Sequence, residues 1–266
     1  MRSRSLCLFA VAVLAAFPLH AQTSEAVQVS PPPIRRSDPP SVTASVKELE
    51  TVGDELRSEK AFLDALDYYN AALAKDPKNP PICNKAGIAE LQMRRYRESR
   101  KYFEHALKLD PKFADAYNNL GVVHYEEKKY GKAIKLYDKA LELQPGIASY
   151  YGNLGAAYYS EKNWEKAAAA YSEALQLDPN IFERTSRTGV AAQLPSPEER
   201  AHFDYLLAKL FAKRGDSDRS LHYLQRALED GYKDINDVYK DPEFAGLRSD
   251  TRFTQLMAAR PPAIPE

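Results

Sequence analysis

The stretch Ala114–Ile147, ADAYNNLGVVHYEEKKYGKAIKLYDKALELQPGI, sets the pattern for most of the chain. Its residue spacing recurs at a step of 34 residues in both directions. Five columns keep this step over four units: Gly53, Gly87, Gly121 and Gly155; Ala65, Ser99, Ala133 and Ala167; Tyr69, Phe103, Tyr137 and Tyr171; Ala72, Ala106, Ala140 and Ala174; and Pro77, Pro111, Pro145 and Pro179. A fixed period of this length indicates stacked structural repeats.

A helix hairpin is predicted within each unit. One face of a first helix has the spacing i, i+3, i+4, i+7, at Tyr117, Leu120, Gly121 and His124. The inner face of a second helix is marked by Ala133, Tyr137 and Ala140. Because Gly121 has no side chain, we expect the two helices to approach closely there. Pro145 disfavours a helical conformation in the residue before it, so the second helix is predicted to end at that point.

The period and the residue pattern resemble the tetratricopeptide repeat family. The resemblance is specific from Val46 to about Ile181 and looser to about Tyr232. It implies an all-α fold, a right-handed superhelix of helix hairpins closed by C-terminal capping helices. It also implies that the first helices line a concave face that binds peptide segments. The four predicted units are residues 46–79, 80–113, 114–147 and 148–181.

The N-terminal residues are predicted to direct export. In residues 1–21, Arg2 and Arg4 precede an apolar run, Leu6–Phe17, which is too short to span a membrane as a mature helix. This pattern is typical of a secretory signal peptide, so we expect a periplasmic or secreted protein with no stable membrane insertion after cleavage. An uncleaved N-terminal anchor is the alternative. Residues 22–45 are rich in proline and are predicted to be a disordered linker.

The C-terminal third departs from the period. Residues 182–197 are predicted to be an irregular loop, and residues 198–231 a degenerate fifth helix pair. In that pair, Ala208, Ser220, Leu224 and Ala227 repeat the internal spacings of the earlier units. Residues 232–259 are predicted to form a C-terminal cap, with Asp241 and Asp250 as helix N-caps, and residues 260–266 a disordered tail.

Composition and motifs favour a protein without catalytic chemistry. The chain has 37 basic and 37 acidic residues, a balance that does not attract nucleic acid, and the basic run Arg94–Lys101 is interpreted as a charged helix face. No glycine cluster fits a phosphate, and no histidine pair has metal-ligand spacing. We therefore predict no catalytic residues, metal or cofactor. Cys83 is predicted to be a buried small residue rather than a reactive thiol.

A second stripe beside the core stripe of the first helices carries the predicted protein-binding residues. With the neighbouring Asn119 and Asn153, the residues predicted from it are Asn84, Ile88, Leu91, Asn118, Asn119, Val122, Tyr125, Asn153 and Tyr159, and we call these nine the first-helix stripe. Asn119 and Asn153 resemble the asparagine ladder that holds a peptide backbone in some members of the family, and Lys85 interrupts that ladder. The alternative is that the stripe packs against the neighbouring unit.

The resulting hypothesis is a non-catalytic scaffold of the bacterial envelope that binds a peptide segment of a partner protein in the concave groove. Two alternatives are a self-assembling structural protein and an accessory subunit of an enzyme system. In the latter, residues 182–197 would contact a ligand.

Overall fold

The structure, a computed structural model, describes residues 37–183 and 196–259. Within these ranges the chain is all-α with no strand, as the sequence predicts. The helices are α1 (Val46–Ser58), α2 (Phe62–Lys75), α3 (Pro80–Gln92), α4 (Tyr96–Leu109), α5 (Ala114–Glu126), α6 (Tyr130–Leu143), α7 (Ala148–Ser160), α8 (Trp164–Leu177), α9 (Pro197–Lys213), α10 (Ser217–Glu229) and α11 (Thr251–Ala258). The predicted signal peptide, most of the predicted linker and loop, and the C-terminal tail lie outside the described residues.

Local residues explain where the helices begin and end. The side chain of Asn79 accepts a hydrogen bond from the backbone of Ile82 at 3.2 Å and caps α3. Asp110, which precedes Pro111, is extended (φ −132°, ψ 96°), so α4 ends there. Between the helices of the third unit, Lys128 has φ 59°, the left-handed conformation that closes a helix C-terminus.

The glycine column gives the hairpins their close packing. A Cβ atom on Gly121 would lie 2.5 Å from the ring of Tyr137 on the second helix of the same unit. The same geometry recurs in the other three units, with values of 2.5–2.6 Å. No real Cβ fits at that distance, so glycine is required where the aromatic ring crosses the first helix. This close approach was predicted from the sequence for Gly121.

Neighbouring units stack with their first helices parallel. At the start of α5 and α7, the hydroxyl of Tyr150 donates a hydrogen bond to Asp115. At the end of the same helices, the hydroxyls of Tyr125 and Ser160 lie 3.0 Å apart. The N-terminal ends of the two helices therefore contact each other, and so do their C-terminal ends. Parallel first helices of this kind are the arrangement of a helical solenoid. Cys83 is buried in this stack, and burial raises the pKa of its thiol, as expected for a structural cysteine.

The fifth helix pair has the same internal hairpin as the regular units. The Ser220 hydroxyl on α10 donates to the carbonyl of Ala208 on α9 at 2.8 Å. The Ser99 hydroxyl on α4 donates to the carbonyl of Gly87 on α3, also at 2.8 Å. The residue spacing that the fifth pair shares with the regular units therefore corresponds to the same contact between the two helices of each hairpin.

The fifth pair nevertheless docks in the opposite direction. The hydroxyl of Tyr159, at the end of α7, donates to a backbone carbonyl in the first turn of α9 at 2.8 Å. The ring centroid of Trp164, which begins α8, lies 4.4 Å from that of His202 in α9. At the other end, Arg219 in the first turn of α10 donates to the carbonyl of Pro179 beyond α8 at 2.5 Å. Helix α9 therefore runs antiparallel to α7, whereas regular stacking predicts parallel first helices.

This reversal explains the break in the period. Helix α8 has 14 residues and a length of about 21 Å. Regular units are joined by four residues, such as Asp110–Phe113, which span at most about 14 Å. Helix α9 starts beside the beginning of α8 rather than beside its end. The segment that joins α8 to α9 therefore has to be longer than the four residues between regular units, and it is longer in this chain.

The C-terminal cap contains three 3-10 helices, Ile235–Tyr239, Pro242–Phe244 and Leu247–Ser249, followed by α11. Asp250 caps α11 as predicted, accepting from the backbone of Arg252 at 2.8 Å. Asp241 lies at the N-cap position of Pro242–Phe244 as predicted, but its side chain makes no capping hydrogen bond. Its carboxylate instead accepts from the Tyr205 hydroxyl at 2.8 Å and pairs with Lys209 at 3.0 Å, which ties the cap to α9.

The end of the predicted disordered linker packs on the first unit. The backbone of Ser37 donates to Asp64 at 3.2 Å, and the Tyr68 hydroxyl donates to the carbonyl of Asp38 at 3.0 Å. Lys75 donates to the carbonyl of Val42 at 2.7 Å. Residues 37–45, which belong to the predicted linker, thus contact the first unit, because α2 supplies partners for the polar backbone groups of the segment.

Candidate protein-interaction surface

The first-helix stripe is mostly packed inside the solenoid. Five of its nine members are buried, namely Asn84, Asn118, Val122, Asn153 and Tyr159. The other four, Ile88, Leu91, Asn119 and Tyr125, are partly exposed. For the five buried residues, the alternative of packing against neighbouring units describes the structure better than an open groove does.

Asn119 and Asn153, predicted to form a ladder that holds a peptide backbone, instead bond to asparagines of the preceding units. The Asn119 amide donates to the Asn84 oxygen, and the Asn153 amide donates to the Asn118 oxygen, both at 2.9 Å and both 35 residues back. Lys85, one unit before Asn119, interrupts the run of asparagines as predicted, but it does not interrupt the bonding between units. It occupies the same place and donates to Glu50, also 35 residues back, at 2.5 Å. We call these three bonds the inter-unit ladder.

The Lys85 end of the ladder is a charged cluster. Lys85 also pairs with Asp54 at 2.6 Å. Burial alone would lower the pKa of Lys85, but the carboxylates of Asp54 and Glu50 outweigh it, and the pKa lies above its ordinary value. The hydrogen bond from Lys85 lowers the pKa of Glu50. The first two units are therefore joined by ion pairs rather than amides.

Tyr159 is not available to a partner. Its side chain is 4 % exposed, and its hydroxyl, which donates to the first turn of α9, also lies 2.9 Å from Nδ1 of His202. Its ring packs against Trp164 and Phe203, with centroids 4.8 and 5.9 Å away. The reversed fifth pair thus covers the stripe at the end of the fourth unit.

The four partly exposed residues form a patch between α3 and α5. Leu91 and Tyr125 pack against one apolar cluster that contains Val122, while Ile88 lies beside Leu91 in the adjoining cluster. Asn119 contributes the polar edge of the patch through its bond to α3. Burial raises the pKa of Tyr125 to about 12, so its hydroxyl stays protonated and can donate or accept. We call these four residues the open patch.

A second surface was not predicted. A groove of about 800 Å³ runs along α8, with Tyr158 of α7 on one side and Leu206 and Leu210 of α9 on the other. Its floor includes Ala168–Ala170, where the third unit carries the larger residues Ile134–Leu136. Trp164 at its end is 40 % exposed. The run of four alanines at 167–170 was the sequence signal that could have indicated it.

Other kinds of site were sought in the same residues. Within 37–183 and 196–259, no three histidine, cysteine, aspartate or glutamate side chains are grouped so that they could hold a metal ion. In the same two ranges, no helix is both long and apolar enough to cross a membrane.

Comparisons with solved structures agree with the solenoid fold. The pilF protein of Pseudomonas aeruginosa is 20% identical, with 78% of this chain and 82% of that chain covered and a TM-score of 0.51. TTC0263 of Thermus thermophilus, a tetratricopeptide-repeat protein, is 19% identical over 80% of this chain and 100% of that one, with a TM-score of 0.50. MamA of Desulfovibrio magneticus RS-1 is 18% identical over 76% and 100%, also with a TM-score of 0.50. At these identities the likeness concerns the fold alone. No curated protein matches the sequence.

Sequence profiles of the family complete the comparison. Two profiles described as tetratricopeptide repeat match residues 84–146 and 148–181. These ranges hold most of the second unit and all of the third and fourth helix hairpins, α5 to α8. The chain is therefore a tetratricopeptide-repeat protein.

Proposed function

We propose that the chain is a non-catalytic scaffold that binds a peptide segment of a partner protein across the open patch. The observation that carries this proposal is the contrast within the first-helix stripe. Five members are packed away, while Ile88, Leu91 and Tyr125 leave apolar surface accessible beside the Asn119 amide. Apolar surface edged by polar groups is the usual composition of a peptide contact.

The inter-unit ladder supports this function by holding the helices in place before binding. It joins α1 to α3, α3 to α5 and α5 to α7. A surface that is already ordered loses less conformational entropy when a peptide binds. The reversed fifth pair bounds the surface, so we place the bound segment on the second and third units.

We further propose that the protein is exported to the bacterial envelope or secreted. The support is the sequence of residues 1–21, with two arginines before a short apolar run. The partner would then be an exported or envelope protein.

The test is a selection of random peptides of about a dozen residues, displayed on phage, against the full chain. Affinities of the enriched peptides would then be measured by calorimetry. In the double variant Leu91→Ala/Tyr125→Ala we expect Kd to rise at least about tenfold, because both apolar contacts are lost. The control is Tyr239→Ala, an aromatic residue 52 % exposed on the C-terminal cap, which should leave Kd unchanged. Enrichment of no peptide, or equal binding by the double variant, would overturn the proposal.

A further inference from the structure

Tyr69, Phe103, Tyr137 and Tyr171 occupy the same position in the second helices of the four units, and we call them the aromatic column. The hydroxyl groups of its tyrosines have different surroundings. In the first unit, the ring of Tyr69 passes the first helix at Gly53, and its hydroxyl emerges on the far side. There it donates to Asp54 at 2.8 Å and accepts from Nε of Arg57 at 3.2 Å. Both partners are partly exposed residues of α1. The hydroxyl of this column therefore reaches the outward side of the first helix, where the first-helix stripe lies.

Tyr137 takes the same path in the third unit without finding a partner. Its ring passes α5 at Gly121, and its side chain is 0 % exposed. Its hydroxyl makes no hydrogen bond to any group of the described residues. The positions equivalent to Asp54 and Arg57 are Val122 and Tyr125, and Val122 has no polar side-chain atom. A buried hydroxyl without a partner is uncommon and calls for an explanation.

Packing alone does not explain this hydroxyl. Phe103 fills the same position in the second unit, equally buried and with the same approach to its glycine. A phenylalanine ring is therefore sufficient for the packing between the two helices at this position. The hydroxyl of Tyr137 adds a hydrogen-bond donor to the apolar cluster on which Leu91 and Tyr125 of the open patch pack.

We propose that the Tyr137 hydroxyl donates a hydrogen bond to a backbone carbonyl of the peptide bound at the open patch. This inference rests on the proposed function and adds a buried donor to its site. In the free protein Tyr125 packs on the cluster that contains Tyr137, and it is held there by its contact with Ser160 at 3.0 Å and by the ring of Tyr130, with centroids 5.2 Å apart. A shift of the Tyr125 side chain that keeps its ring against the peptide opens this donor, so a peptide carbonyl gains a partner that the free protein lacks.

The test compares two matched variants with the peptides selected above. In Tyr137→Phe we expect about a tenfold rise in Kd, because one buried hydrogen bond is lost, with an unchanged or higher Tm in the absence of peptide. In Tyr69→Phe we expect an unchanged Kd but a lower Tm, because that hydroxyl already has partners within the protein. Equal Kd values for the native chain and Tyr137→Phe would overturn the inference while leaving peptide binding intact. A selection that enriches no peptide would overturn the proposed function as well.

A second measurement identifies the accepting group. Each peptide carbonyl is replaced in turn by a thioamide, whose sulfur is a poorer acceptor. We expect one position to weaken binding to the native chain and to have no effect on Tyr137→Phe. If that position weakens binding to both proteins equally, the carbonyl does not meet Tyr137 and the inference fails.

Discussion

The side-chain amide of Asn153 donates a hydrogen bond of 2.9 Å to the side-chain oxygen of Asn118, one unit earlier in the chain. Both residues are buried, so the bond is sheltered from water. It is one step of the inter-unit ladder that continues through Asn119 and Asn84 to the Lys85–Glu50 ion pair. The polar residues expected to hold a peptide therefore hold successive units together.

Removing one partner of this bond should destabilise the stack. For Asn153→Ala we expect a loss of about 1–2 kcal/mol in the free energy of unfolding, because a buried oxygen on Asn118 loses its donor. Urea unfolding of Asn153→Ala, Asn118→Ala and the double variant gives the coupling between the two residues. We expect a coupling of about 0.5–1.5 kcal/mol. Strictly additive losses would mean that the bond does not contribute to stability.

The close packing at the glycine column predicts that adding one methyl group to Gly121 strongly lowers the stability of the protein. Gly121→Ala should lower the free energy of unfolding by about 1–3 kcal/mol, because the new Cβ would lie 2.5 Å from the buried ring of Tyr137. Gly146→Ala is the control, since a Cβ there meets no atom within 4 Å, and its effect should stay within about 0.5 kcal/mol. Thermal unfolding followed by circular dichroism measures both. Similar Tm values for the two variants would contradict the close contact.

The turn inside the third hairpin predicts a stabilising substitution. Lys128 has φ 59°, and the backbone of Lys129 donates to the carbonyl of His124 at 2.8 Å to close the turn. We expect Lys128→Gly to gain about 0.5 kcal/mol, because glycine adopts this conformation without the penalty that a side chain brings. Lys132→Gly, at an exposed position within α6, should instead lose about 1 kcal/mol. Chemical denaturation distinguishes the two signs, and a loss in Lys128→Gly would refute the argument.

Asp204 makes stability depend on pH. It is 1 % exposed between α9 and α10, and burial raises its pKa to about 6 even though Nε of Arg226 lies 3.2 Å away. Because the folded-state pKa is above the unfolded value of about 4, the folded protein holds the proton more tightly. The contribution of Asp204 to stability therefore increases as pH falls from about 7 to about 4. In Asp204→Asn this contribution disappears, and the variant should be about 1–3 kcal/mol more stable at pH 7.

The measurement for Asp204 is the difference in unfolding free energy between the native chain and Asp204→Asn at several pH values. Taking the difference removes the contribution of the other titrating groups. The two proteins should converge as the pH is lowered from about 6 to about 4. A difference that stays constant across this range would show that Asp204 titrates normally.

Much of the hairpin architecture could be predicted from residue types alone. The spacing of Tyr117, Leu120 and Gly121 predicted the first helix and its contact with the second, and the structure shows that contact. Pro111 and its equivalents predicted where the second helices end. The nine residues of the first-helix stripe were less predictable. A residue between two helix faces can pack on the neighbouring unit or face solvent, and its own spacing does not distinguish these outcomes.

The sequence by itself determined the repeating helix hairpins, because helix period, the glycine column and the proline column act within one unit or between adjacent helices. Only the tertiary structure decided the partners of Asn119 and Asn153, the reversed direction of α9, and the packing of residues 37–45 on α2. Each of these depends on groups about 30 to 40 residues apart in sequence. An amide or a hydroxyl bonds equally well to several partners, so the choice is made by the helices that pack beside it.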